Sequence, residues 1–130
     1  MKEGNWSSSW IGSKKPSKQR SYTRFAPHHV KGGLLGSHLA KPLAEKLKTR
    51  SLRVRKGDTV KVMRGQYAGK SGKVNRIDVE NMRVFIDGVE FPKRDGSKGL
   101  YPLHPSKIMI TDLEGKDKRR LAESVKKVSQ

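Results

Sequence analysis

The sequence predicts a mainly β protein: a small barrel with a basic, extended N-terminal arm and short flanking α-helices. Three observations carry this. Short runs of alternating Val and Ile crowd into residues 54–111, and Gly-containing turn signals separate them. Only 32% of the 130 residues are apolar, enough for one small core. Finally, the net charge of +18 is uneven, with twelve basic and two acidic residues in 1–53, +5 over 54–113 and +3 over 114–130.

That charge sets the partner. Thirty Lys and Arg against twelve Asp and Glu repel one another until a polyanion neutralises them and releases its own counterions. Nucleic acid fits. No apolar run approaches a membrane span and no secretory h-region opens the chain, so neither a membrane nor export is expected. With no cysteine, disulfides and Cys-based zinc sites are excluded. These features suit a cytoplasmic protein.

Residues 1–36 form the arm. Ser, Gly, Pro, Lys and Arg dominate it, a composition that buries little surface. Trp6, Trp10, Tyr22 and Phe25 are interleaved with Lys14, Lys15, Lys18, Arg20 and Arg24, as expected of a segment that follows RNA and offers rings to unpaired bases. A solvated tail with incidental aromatics is the plainer alternative.

Residues 37–50 predict a short helix. Leu39, Leu43 and Leu47 recur every four residues and form a packing face; Ser37 is a candidate cap. Pro42 places the regular helix near Lys41, with the proline in its first turn. Residues 51–113 predict the barrel. Val54, Val60, Val62, Val74, Ile77, Val84, Ile86, Val89, Phe91, Leu100, Leu103, Ile108 and Ile110 mark five or six strands. Lys56-Gly57-Asp58, Gly65 to Gly72, Asp87-Gly88, Asp95-Gly96 and Lys98-Gly99 are the turn signals. Residues 114–130 predict a charged helix or tail with a thin stripe of Leu121, Val125 and Val128. Its cations, Arg120 among them, serve RNA or form a solvated face.

The informative stretch runs from Arg55 to Asp78: strand, Gly-rich turn, strand. Val60 and Val62 point inward. The odd spacing of Val74 and Ile77 predicts a bulge or a strong bend between them. Arg64, Lys70, Lys73 and Arg76 project from this hairpin, with Tyr67 at its tip, and Arg50, Arg53, Arg55 and Lys56 lead into it. Charges on a tight hairpin meet phosphates with less entropy lost than charges on a loose tail.

This hairpin resembles the KOW motif of RNA-associated SH3-like barrels, with Gly69 as its glycine. Ribosomal proteins and transcription elongation factors share that motif. The flanking blocks Ser17–Arg20, Ala26–Val30, Ser37–Leu39, Ser51–Gly65 and His104–Thr111 resemble the archaeal and eukaryotic form of large-subunit ribosomal protein twenty-four, over roughly residues 14–121. Residues 1–12 have no counterpart, Pro42 falls where the family continues a helix, and Lys107 stands in place of an Asn. The resemblance implies a KOW barrel bound to the 5′ domain of large-subunit ribosomal RNA, near the rim of the peptide exit tunnel, with a role in subunit assembly. It implies neighbouring large-subunit ribosomal proteins as further partners, and no small-molecule substrate. The alternative is a KOW module that binds RNA polymerase or nascent RNA.

Other chemistries find little support. Gly65-Gln-Tyr-Ala-Gly-Lys-Ser71 imitates a P-loop, but three residues separate its glycines instead of four, and a strand follows it. His28, His29, His38 and His104 lack metal-ligand spacing, and His104 suits a structural turn before Pro105. Asp58, Asp78, Asp87 and Asp95 read as turn residues. Neither cofactor, metal nor catalytic residue is expected.

Overall fold

The computed structural model describes residues 6–115 and Arg120. The elements run α1 (Pro16–Phe25), α2 (His28–Leu34), β1 (Gly36–Leu39), α3 (Lys41–Leu47), β2 (Ser51–Arg53), β3 (Thr59–Val62), β4 (Ser71–Asp78), β5 (Arg83–Pro92), β6 (Lys98–Leu103) and β7 (Ile108–Asp112). Among the described residues, seven strands form one sheet in the order β2-β1-β7-β3-β4-β5-β6. Within it β1 and β7 pair in parallel, and the other neighbours are antiparallel.

That sheet cannot be flat. Four strand spacings separate β7 from β6, about 19 Å across a flat sheet. Five chain steps join Leu103 to Ile108, at most about 18 Å when fully extended. Part of that link is a 3-10 turn at Pro105–Lys107, which shortens it further. The sheet therefore curls, and it encloses one core drawn from β1 and β3 to β7, together with Val54. Val60, Val62, Val84, Ile86, Val89, Ile108 and Ile110 are completely buried there. Each contributes about 1.5–3 kcal/mol by leaving water. This is the expected mainly β fold, small and strongly curved.

Several local expectations hold. Val60 and Val62 face inward while Lys61 is exposed. The register between β4 and β5 shifts between Val74 and Arg76, where a bulge or strong bend was expected. Pro42 sits in the first turn of α3, and Lys48 ends that helix in the left-handed region at φ 51°. Leu43, Ala44 and Leu47 pack against the core.

Others are corrected. Ser37 does not cap a helix: residues 36–39 are β1, held between β2 and β7. The Ser37 hydroxyl, buried there, donates to the Pro105 carbonyl at 2.7 Å. Asp87-Gly88 does not reverse the chain. It lies inside the ten-residue β5, where the pairing with β6 shifts register and Gly88 takes φ 83°. A glycine in this region suits a bulge as well as a turn. Lys98-Gly99 belongs to β6, opposite Phe91 and Pro92.

The segment before β1 is helical where extended chain was expected. Gln19 ties α1 to the 3-10 turn at Ser8–Gly12, its amide donating to the carbonyls of Trp10 at 2.9 Å and Ser13 at 2.7 Å. Trp6 donates its indole N–H to the Tyr22 carbonyl, and the two rings lie 5.4 Å apart. The aromatic residues thus supply the arm with a small packing cluster of its own. α2 then docks on the sheet through Leu35, completely buried, whose carbonyl accepts from Val54 N–H. The expected C-terminal stripe of Leu121, Val125 and Val128 lies outside the described residues, as do the other C-terminal cations apart from Arg120.

Candidate nucleic-acid interface

The hairpin from β3 to β4 is held by its own backbone. Val62 N–H donates to the Lys70 carbonyl and Gly69 N–H to the Val62 carbonyl, both at 2.8 Å. Gly65 and Gly69 take φ of 95° and 88°, values that a Cβ disfavours. The loop is therefore a fixed platform. Arg64 and Lys70 stand on it, Lys73 and Arg76 on β4, and all four are exposed. The Arg76 guanidinium lies over the Phe85 ring, 4.4 Å from its centroid.

Arg50, Arg53, Arg55 and Lys56 are exposed along β2 and the turn after it. Gly57 N–H donates to the Val74 carbonyl at 2.9 Å, so this turn runs beside β4 where Lys73 stands. Lys14, Lys15, Lys18, Arg20 and Arg24 are exposed before and along α1. All thirteen cations picked from the sequence thus reach solvent. The fold joins those of β2 to those of the hairpin, while α1 carries its own group.

The candidate stacking rings fare differently. Phe25 is 39% exposed. Tyr67 is half-buried: its hydroxyl donates to the Glu90 carbonyl and its ring meets Tyr101 at 5.0 Å. Tyr22 is buried against Trp6, so its ring is a packing element and not a surface for bases.

Sequence reasoning missed three features. Lys31 is buried, its ammonium donating to the Glu80 carbonyl at 3.0 Å. Arg120 does not belong to a solvated face. It is 4% exposed and grips the completely buried Asp58 at 2.8 and 2.7 Å, one bond to each carboxylate oxygen. Asp58 also accepts from the backbone N–H groups of Arg55 and Glu114. Its turn position was legible; a partner 62 residues away in the chain was not. The third feature is a cleft of about 440 Å³ between α2 and β2.

Titration shifts fall on structural groups. Hydrogen bonds from Asn81 hold Asp78 below the usual carboxylate value, and hydrogen bonds from Ser97 do the same for Asp95. Burial, helped by the charges of Arg83 and Lys107, lowers His104. Its Nδ1 accepts from Ser106 N–H, which fits a capping role at the 3-10 turn. No group of His, Asp or Glu suited to a metal ion occurs among the described residues.

Comparison with known proteins agrees with this picture. A family model that describes the ribosomal proteins L26 of eukaryotes and their archaeal L24 counterparts matches residues 13–127. A protein of Methanospirillum hungatei named "Large ribosomal subunit protein uL24" is 49% identical over 108 residues, 83% of this chain and 90% of the relative. Relatives of the same name in Methanosarcina barkeri and Methanosphaera stadtmanae are 46% and 43% identical. They match over 88% and 83% of this chain, and over 98% and 92% of their own lengths. With a curled β sheet, a rigid basic hairpin and a match along nearly the whole of its relatives, the chain belongs to the ribosomal protein family of eukaryotic L26 and archaeal L24.

Proposed function

We propose that this chain is a structural constituent of the large ribosomal subunit in the cytoplasm, where it binds and holds ribosomal RNA. Family membership supports the assembly. The single observation that supports the chemistry is the exposure of all thirteen cations on a structured scaffold. Most contacts go to phosphates, and shape and unpaired bases supply specificity. Neighbouring ribosomal proteins complete the set of partners. No catalysis and no cofactor enters this reading. The finer placement, on the 5′ domain of the large-subunit RNA near the tunnel rim with a role in assembly, rests on the resemblance of the blocks from Ser17 to Thr111. The transcription-factor alternative has the hairpin in its favour but not the family match over residues 13–127.

The test has two parts. In a sucrose gradient of cell lysate, the protein should sediment with the large subunit in stoichiometric amount and withstand moderate salt. Affinity for a transcript of the 5′ domain should fall about a thousandfold between roughly 50 and 200 mM salt, given six or more neutralised phosphates and duplex-like scaling. Sedimentation with RNA polymerase, or a flat salt response, would refute the proposal.

A further inference from the structure

The cleft between α2 and β2 has no counterpart among the contacts foreseen from the sequence. β2 is an edge of the sheet, and α2 stands beside it. We propose that this cleft is a ribonucleotide subsite, taking one phosphate and its attached nucleoside from an RNA strand that enters between α2 and β2. This rests on the RNA-binding reading above and gives it a place.

Its size lies within the range of small-ligand sites. Its lining suits an anion: Arg53 and Arg55 bring guanidinium groups to it and His29 an imidazole ring, Arg120 closes its floor in the pair with Asp58, and no carboxylate occurs among the described lining residues. Guanidinium groups match phosphate oxygens through paired N–H donors.

The glycines of α2 supply the second argument. Glycine is a poor helix former, yet Gly32 and Gly33 stand in a seven-residue helix. A Cβ at Gly32 would lie 2.8 Å from Nη1 and 2.9 Å from Cζ of Arg53. The bare backbone lets that guanidinium lie against the helix at the cleft wall. Gly33 and Gly36 also line the cleft, and a Cβ on either would meet no atom of the described residues within 4 Å. Packing therefore gives no reason for glycine at these two positions; room for a ligand does.

Thr49 adds a third. It lines the same cleft, and its buried hydroxyl oxygen has no hydrogen-bond partner among the described residues. Such a group is destabilising until paired, and a rotation of the side chain toward the cleft would let a phosphate oxygen accept from it. Beneath the cleft, Arg120 neutralises Asp58. An unpaired carboxylate there would repel phosphate, so the ion pair makes the floor compatible with an anion.

Two variants of the full chain test this. Gly32→Ala improves helix propensity while displacing the tip of a flexible Arg53 side chain, so the fold should survive. Thr49→Val removes the hydroxyl at nearly constant volume. Affinity for the 5′-domain transcript should drop about tenfold for Gly32→Ala and about threefold to tenfold for Thr49→Val, with melting temperatures at or above the native value. Exposed Lys46→Ala on α3 should change affinity less than about twofold. Titrated with uridine 5′-monophosphate, the native protein should show saturable NMR shifts at the Gly32, Gly33 and Gly36 amides, larger than with inorganic phosphate. Native binding of the transcript with both variants unchanged would overturn the subsite alone, as would shifts spread over every basic surface, equal shifts with phosphate alone, or displacement by a glutamate-rich peptide. Failure of the native protein to bind the transcript would overturn both the subsite and the function proposed above.

Discussion

Replacing Arg120 with Met isolates the contribution of the buried ion pair. Asp58 is completely buried and accepts four hydrogen bonds from the described residues, two of them from Arg120. Arg120 also donates to the Arg53 carbonyl at 2.7 Å. Breaking a buried pair from one side costs about 3–5 kcal/mol, because the remaining charge stays out of water. The two backbone donors left on Asp58 favour the lower end, about 3–4 kcal/mol. At roughly 4 °C per kcal/mol for a chain of this size, the melting temperature should fall by about 12–16 °C. Asn at position 58 is neutral and keeps an acceptor oxygen, so adding Asp58→Asn should restore most of the loss. Thermal and urea unfolding followed by far-UV circular dichroism measures both, with an unchanged urea slope if the unfolded state is unaltered. A shift below about 3 °C for Arg120→Met, or no rescue by Asp58→Asn, would refute the buried pair.

Gly72→Ala should cost about 3 kcal/mol, because its Cβ would run into the Asp87 backbone carbonyl and lie 2.8 Å from Ile86 Cγ2; urea unfolding measures it. His104 is held below its ordinary value of 6.5, so its contribution to stability is complete above about pH 6.5 and is lost as pH falls through the lowered folded value. His104→Asn should therefore flatten the melting temperature between about pH 7 and 5 relative to the native chain. Phe25→Ala should weaken RNA binding by about 1–3 kcal/mol if the ring stacks on a base, with little effect on melting. Tyr22→Ala should instead change Trp6 fluorescence and loosen the arm, which spectroscopy of the free protein reads directly.

What was legible in the sequence was local. Val60 and Val62 announce their strand by alternation alone, and the spacing from Val74 to Ile77 announces a break in strand period, a bulge or a bend, which the pairing with β5 resolves as a register shift. Gly65 and Gly69 mark a loop through their own backbone freedom. What failed depended on distant chain. Asp-Gly serves hairpin turns and bulges equally, and only the pairing of β6 along both halves of β5 decides for Asp87-Gly88. Residues 36–39 carry weak strand propensity and become β1 because β7, far along the chain, offers a parallel edge. The arm reads as too polar to fold, yet Gln19, Trp6 and Tyr22 supply enough contacts to hold α1. Of the interface, the exposed cations were readable from charge. The cleft was not, since Gly32 meets Arg53 only after α2 docks on β2.

The parallel pairing of β1 with β7 also sets an order of events during synthesis. β3 to β6 form a meander of neighbouring strands that can zip as each emerges. β1, made before all of them, has β2 as its early partner but must wait for β7 to join the sheet. Asp58 waits longer still, until residue 120 exists. A chain stalled short of β7 would expose the strand edges that β1 and β3 later share with it, while already carrying the most basic part of the sequence. Such an intermediate is prone to wrong pairing, and to capture by any nearby polyanion, before its own core is complete.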